Sequence, residues 1–106
     1  SPRGLHYDLL LETATLLVTY ALEGEPQPGT SGMAEQLPDH RRLYLDYEGS
    51  ISGGRGTVTE WDSGSYTVIR RNDQVLEIAV EGRTMKGVIA LQLMDPACQR
   101  WRYRVI

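Results

Sequence analysis

The chain has only two histidines, His6 and His40, and each has a carboxylate close by in sequence, Asp8 and Asp39. His6 and Asp8 are two residues apart in an alternating run. On a β-strand both side chains leave the same face, with Cα atoms about 7 Å apart. That spacing lets an imidazole nitrogen and a carboxylate oxygen converge on one divalent ion, although a solvated polar strand face has the same pattern. His40 is followed at every second position by Arg42 and Tyr44. An imidazole in that setting can bind metal, protonate a leaving group or hold a phosphoryl oxygen, while Arg and Tyr stabilise developing charge. A surface histidine beside two solvent-facing residues is the plainer alternative. The run Ser52-Gly53-Gly54-Arg55-Gly56 offers backbone N–H groups and the Arg55 guanidinium to a phosphate. It lacks the Lys-Ser/Thr pair of a P-loop and opens no helix, and a glycine hairpin with positive φ accounts for it without a ligand. Cys98 has no histidine in a nucleophile-like arrangement, and Trp61, Trp101 and the tyrosines fit a barrel core better than a base-stacking platform.

The elements that must position these residues read as strands. Residues 6–12 put Tyr7, Leu9 and Leu11 on one face and His6, Asp8, Leu10 and Glu12 on the other. After a short Thr-Ala turn, residues 15–22 are apolar and β-branched, so the two runs are expected to form a hairpin. Residues 23–38 hold three prolines and three glycines and read as a long loop, with a helical turn near Met33 and Gln36. Residues 42–47 alternate again, and a glycine-rich turn covers 48–56. Further strands are expected near 57–61, 65–71, 75–81, 84–93 and 100–105, separated by turns at 62–64, 71–73, 81–82 and 95–97. Short strands at this rhythm predict an all-β fold, a small closed or nearly closed barrel with at most one or two short helical turns.

Composition narrows the classes. The 106 residues allow one domain, expected to span 1–106, and 41% apolar residues with a net charge of −3 argue against disorder. The longest nearly apolar run, 15–22, is far short of the roughly 20 residues of a membrane helix. One cysteine excludes an intramolecular disulfide scaffold, and two histidines with one cysteine exclude a structural zinc cluster. A cytoplasmic location is expected. The chain begins with Ser, which reads as a trimmed or fragmentary start. Ten of the eleven basic residues are Arg, a bias that suits phosphate and that a GC-rich genome also produces. Residues 1–62 carry four basic and ten acidic side chains, whereas 63–106 carry seven and four. A protein that coats nucleic acid non-specifically is far more basic than this, so any nucleic-acid contact is expected to be local.

Taken in order, Leu5-His6-Tyr7-Asp8, Glu12, Asp39-His40, Tyr44, Asp46-Tyr47-Glu48-Gly49, Gly56-Thr57-Val58 and Trp61-Asp62 with Gly64 form one series. The series resembles the 3′-phosphoesterase domain family of bacterial DNA ligase D, the DNA polymerase ligase N-terminal domain, whose blocks read approximately LHYDxRLE, DHxxxY, DFEGxI, GxGTV and WDxG. The resemblance runs from about Leu5 onward, apart from residues 23–38, and implies a compact β-barrel. It implies a divalent-metal cofactor, typically Mn²⁺, and removal of a 3′-phosphate or terminal ribonucleotide from a primer-template or RNA/DNA junction. It makes His6 and Asp8 metal ligands and places His40 and Tyr44 in the active site near the phosphate, with ligase or polymerase repair proteins as partners. The departures are specific. The family's metal-binding His upstream of the HYD motif would precede Ser1. Its phosphate-binding Arg two positions beyond the Asp is Leu10 here. Residues 4–40 contain no Lys or Arg to match the family's cations before the DH motif, and the glycine turn is shorter. Arg42 and Arg55 are the candidate substitutes. Two functions follow: a metal-dependent 3′-end phosphoesterase with a weakened site, or a non-catalytic module on the same barrel that binds a nucleic-acid end or a repair partner.

Overall fold

A computed structural model describes residues 7–14, 16–41, 49–50, 57–58 and 61–106, with backbone only for 39–41, 49–50 and 57–58. Among the described residues, nine strands appear in chain order: β1 (Tyr7–Glu12), β2 (Leu16–Leu22), β3 (Ser31–Arg41), β4 (Gly49–Ser50), β5 (Thr57–Val58), β6 (Gly64–Arg71), β7 (Val75–Gly82), β8 (Lys86–Asp95) and β9 (Arg100–Val105). There is no helix among the described residues, and so none long and apolar enough to cross a membrane. Seven strands form one antiparallel sheet in the order β1-β2-β3-β9-β8-β7-β6, and β4 pairs with β5. The large sheet curls into a nearly closed barrel. Its two edge strands meet where the Tyr66 hydroxyl on β6 donates to the Glu12 carbonyl at the end of β1, at 2.7 Å.

The strands follow from alternation and the turns from short side chains bonding nearby backbone. β9 is the clearest case: Trp101, Tyr103 and Val105 are buried while the residues between them are exposed. At the β1–β2 turn the Thr13 hydroxyl donates to the Leu16 carbonyl and accepts from the Leu16 N–H. At the β6–β7 turn the Asn72 side-chain oxygen accepts from the N–H groups of Gln74 and Val75. The barrel interior holds Tyr20, Leu22, Ile78, Ile89, Leu91, Trp101 and Tyr103, with Trp101 packed edge-on against Tyr20 at 5.4 Å between ring centroids. Each such aliphatic side chain contributes about 1.5–3 kcal/mol by leaving water.

β3 corrects the sequence reading. The loop expected over 23–38 ends at Thr30, and Met33 and Gln36, expected in a helical turn, are strand residues. Residues 31–35 pair with β9 and residues 34–37 and 40–41 with β2, and this pairing overrides a composition poor in strand formers. Gly32 lies opposite Tyr103, where a Cβ would come within 3.0 Å of the ring, so the glycine makes room for the aromatic side chain. Pro38 is tolerated because β9 pairs only with residues 31–35, and the β2–β3 register shifts between Leu17 and Thr19, alongside the proline. The strand expected over 42–47 lies outside the described residues, as does most of the glycine turn over 48–56. The Trp61 end of the strand expected over 57–61 is not strand.

Candidate functional site

On β1, Tyr7, Leu9 and Leu11 pack against the barrel core, so Asp8, Leu10 and Glu12 stand on the outer face, as the alternation predicts. Register carries that face across the sheet. Asp8 lies beside Ala21 and then Glu35, Leu10 beside Thr19 and then Leu37, and Glu12 beside Leu17 and then His40. Leu17, Thr19 and Ala21 also point away from the barrel interior, yet all three are buried, so β2 is covered on both faces. The nearly continuous apolar run over 15–22 is the sequence signature of that double burial.

Of the residues singled out in the sequence, the structure places the side chain of Asp8, exposed near the start of β1, and the backbone of His40 near the end of β3. The two lie two strands apart, about 10 Å, and four residues apart along β1, about 13 Å. His6, Arg42, Tyr44 and Arg55 lie outside the described residues. Leu10 is half-buried beside Asp8 on the same face.

The charge of this face is one-sided. Its ionisable side chains on β1–β3, among those described, are Asp8, Glu12 and Glu35, and no Lys or Arg occurs between Arg3 and Arg41. A hard carboxylate such as Asp8, with an imidazole two positions before it, suits a divalent ion of the manganese type. No group of three metal-ligating side chains occurs among the described residues.

Asp62, in the WDxG block, has a different task. Its carboxylate accepts from the N–H groups of Met85 and Arg83, both at 2.9 Å, of Ser63 at 2.8 Å and of Thr84 at 3.3 Å, and from the Thr84 hydroxyl. These bonds, led by that from Met85, pull its pKa down from 3.8 to about 2 against the opposing effect of burial. The neighbouring Gly64 sits so close to the Glu81 carbonyl that no side chain fits. Trp61 is half-exposed and lies outside the barrel core. It stacks on Tyr7 with ring centroids 6.2 Å apart and donates its indole N–H to Glu25 at 2.7 Å. This block therefore fastens the turn between β7 and β8 and ties the 23–30 loop to the start of β1, a structural role that motif spacing alone did not disclose.

A nearly closed antiparallel barrel with an acidic outer face at β1–β3 defines a small all-β domain that carries its polar residues on the outside of the sheet. The DNA Ligase D 3′-phosphoesterase domain profile matches residues 1–93, and the chain belongs to that family. It is 34% identical over 93 residues to the multifunctional non-homologous end joining protein LigD of Pseudomonas aeruginosa, a match covering 78% of this chain and 11% of that protein. It is 41% identical over 69 residues to the protein of the same name from Mycolicibacterium smegmatis, covering 60% of this chain and 9% of the relative. It is 36% identical over 76 residues to the multifunctional non-homologous end joining DNA repair protein LigD of Mycobacterium tuberculosis, covering 67% of this chain and 10% of the relative. The chain thus spans a small part of the curated relatives it matches.

Proposed function

We propose that this domain is a metal-dependent 3′-phosphoesterase acting on DNA 3′ ends in end-joining repair, removing a 3′-phosphate or a terminal ribonucleotide, with a weakened site. The observation that carries this reading is the ordered set of motif residues His6, Asp8, His40 and Tyr44 on a chain matched over residues 1–93, with Asp8 exposed on the outer face of β1. His6 and Asp8 would hold a divalent ion, which when bound would supply Lewis-acid polarisation of a phosphoryl oxygen. In release of the 3′-phosphate, a water oxygen would form the new bond to phosphorus as the bond to the 3′ oxygen breaks, and His40 would give that 3′ oxygen its proton, leaving a 3′-OH and inorganic phosphate. Tyr44, Arg42 and Arg55 stabilise charge on the phosphoryl oxygens.

The test is release of the 3′-phosphate from a primer-template by the 106-residue chain with Mn²⁺, followed as conversion to a 3′-OH end. Slow turnover that EDTA and Asp8→Ala both abolish is the expected result. Turnover that Asp8→Ala leaves intact overturns the assignment of the metal site. A folded chain inert with both Mn²⁺ and Mg²⁺ overturns the enzyme reading and leaves the binding module. Leu10 favours that second reading: it stands beside Asp8 where the family carries a phosphate-binding Arg, on a face whose described ionisable groups are all carboxylates.

A further inference from the structure

The strand that closes the sheet at its centre carries a feature that the proposed chemistry does not use. Arg100, Arg102 and Arg104 alternate with buried Trp101, Tyr103 and Val105, so all three guanidinium groups leave the outer face of β9. Residues two apart on a strand are about 7 Å apart, a pitch comparable with that of successive phosphates along one nucleic-acid strand. None of the three guanidinium groups makes an ion pair or side-chain hydrogen bond among the described residues. The cross-strand neighbours of Arg102 are Met33 and Gln92, and those of Arg104 are Ser31 and Ala90, all uncharged. Arg100 is flanked by Glu35 and Asp95, but the Asp95 carboxylate accepts from the Ala97 N–H and Glu35 has an interaction of its own. Beyond Arg104 a shallow hollow of about 430 Å³ opens between that residue and Gly29, Thr30 and Ser31. The stripe lies past residue 93, where the family match ends.

We propose that the outer face of β9 is a track for the sugar–phosphate backbone of a nucleic-acid strand, with Arg102 and Arg104 as its principal cations. The inference rests on reading the domain as one that acts on nucleic-acid ends, and it adds cations to an outer surface whose described ionisable side chains on β1–β3 are carboxylates. The row suits a nucleic-acid backbone, whose successive phosphates each offer two oxygens to a planar fork. Register places Arg100 in the row of Asp8, three strands round the barrel, so the track is separate from the candidate site and contributes affinity without chemistry.

The experiment measures binding of a fluorescein-labelled primer-template to the 106-residue chain as a function of salt. Arg102→Gln with Arg104→Gln is expected to weaken binding on the order of tenfold. It should also reduce the slope of log K against log[salt] by about 1.5, since each phosphate left without its arginine accounts for about 0.7–0.9 of slope. Arg70→Gln with Arg71→Gln on β6 makes the same change in net charge elsewhere and is expected to leave the slope unchanged. Equal losses from both pairs would mean that overall charge, not the stripe, does the binding, and would overturn the proposal. Tighter binding of poly-glutamate than of the oligonucleotide would also overturn it, in favour of an acidic protein partner. The two readings fail separately. A chain that releases no 3′-phosphate yet loses DNA binding with the β9 pair keeps the track and loses the enzyme. A chain that turns over and binds DNA independently of Arg102 and Arg104 keeps the enzyme and loses the track.

Discussion

The Asp62 carboxylate collects backbone N–H groups from Met85, Arg83, Ser63 and Thr84, and these hold its pKa near 2 in the folded chain against 3.8 ordinarily. Because the folded value is the lower one, the stabilisation is fully present above about pH 4 and fades as pH falls toward about 2. Asp62→Asn keeps the shape and loses the charge. Urea midpoints of the two proteins should therefore differ most near neutral pH, with the variant weaker, and converge in acid. A difference that does not change with pH would mean that the carboxylate's charge plays no part. Leu10 poses the opposite case, a family position emptied of its charge. It shares a face with Asp8 and is only half-buried, so a long cationic side chain can reach water from there. One preorganised donor to a developing oxyanion is worth about 10²–10³ in rate, so Leu10→Arg is expected to raise Mn²⁺-dependent 3′-phosphate release by at least about tenfold. An unchanged rate in an active protein would show that Leu10 does not mark the weakness of the site.

Among elements, legibility tracked side-chain chemistry. β1, β2, β7, β8 and β9 were readable because apolar residues alternate or run together over six or more positions, and their limits lie within one or two residues of those expected. β3 was not readable. Its inward positions are filled by Gly32, Ala34 and Gln36, residues with no strand preference, and Pro38 punctuates its second half. What makes it a strand is pairing with β2 and β9, which a local window does not contain. The candidate site was legible as residue types on strand faces. Its acidic surroundings emerged only when register set Glu35 in the row of Asp8. The same pairing predicts how β3 responds to proline. The Gln36 N–H donates to the Gln99 carbonyl at 2.9 Å, so Gln36→Pro breaks a bond that joins β3 to the turn before β9. It should cost at least about 0.5–1.5 kcal/mol for that bond, plus strain at the central strand. Pro38→Ala, where the chain already does without an N–H, should stay within about 0.5 kcal/mol of the parent. Thermal unfolding of the two variants checks the contrast, and equal losses would contradict the register.

At the scale of the whole molecule, β9 decides whether there is a barrel. The first three strands form one meander and β6 to β9 another, and the described main sheet joins them through β3 and β9. The family match ends at residue 93, inside β8, but the fold is incomplete there: removing β9 would leave two separate sheets with open edges on β3 and β8. It would also remove Trp101, Tyr103 and Val105, each at most 6% exposed, from the middle of the core. Truncating a buried aromatic residue to Ala alone costs about 3–5 kcal/mol. Losing two aromatics, a valine and two strand interfaces together is comparable with the whole of the roughly 5–15 kcal/mol by which a domain of this size is stable. A chain ending at residue 95 is therefore expected to lose the cooperative thermal transition of the 106-residue chain and to aggregate through its exposed strand edges. Circular dichroism against temperature, with light scattering on the same samples, makes the comparison. A cooperative melt from the shorter chain near that of the longer one would mean that the two meanders join without β9, and the strand order that places the arginine stripe at the centre of the sheet would have to be abandoned.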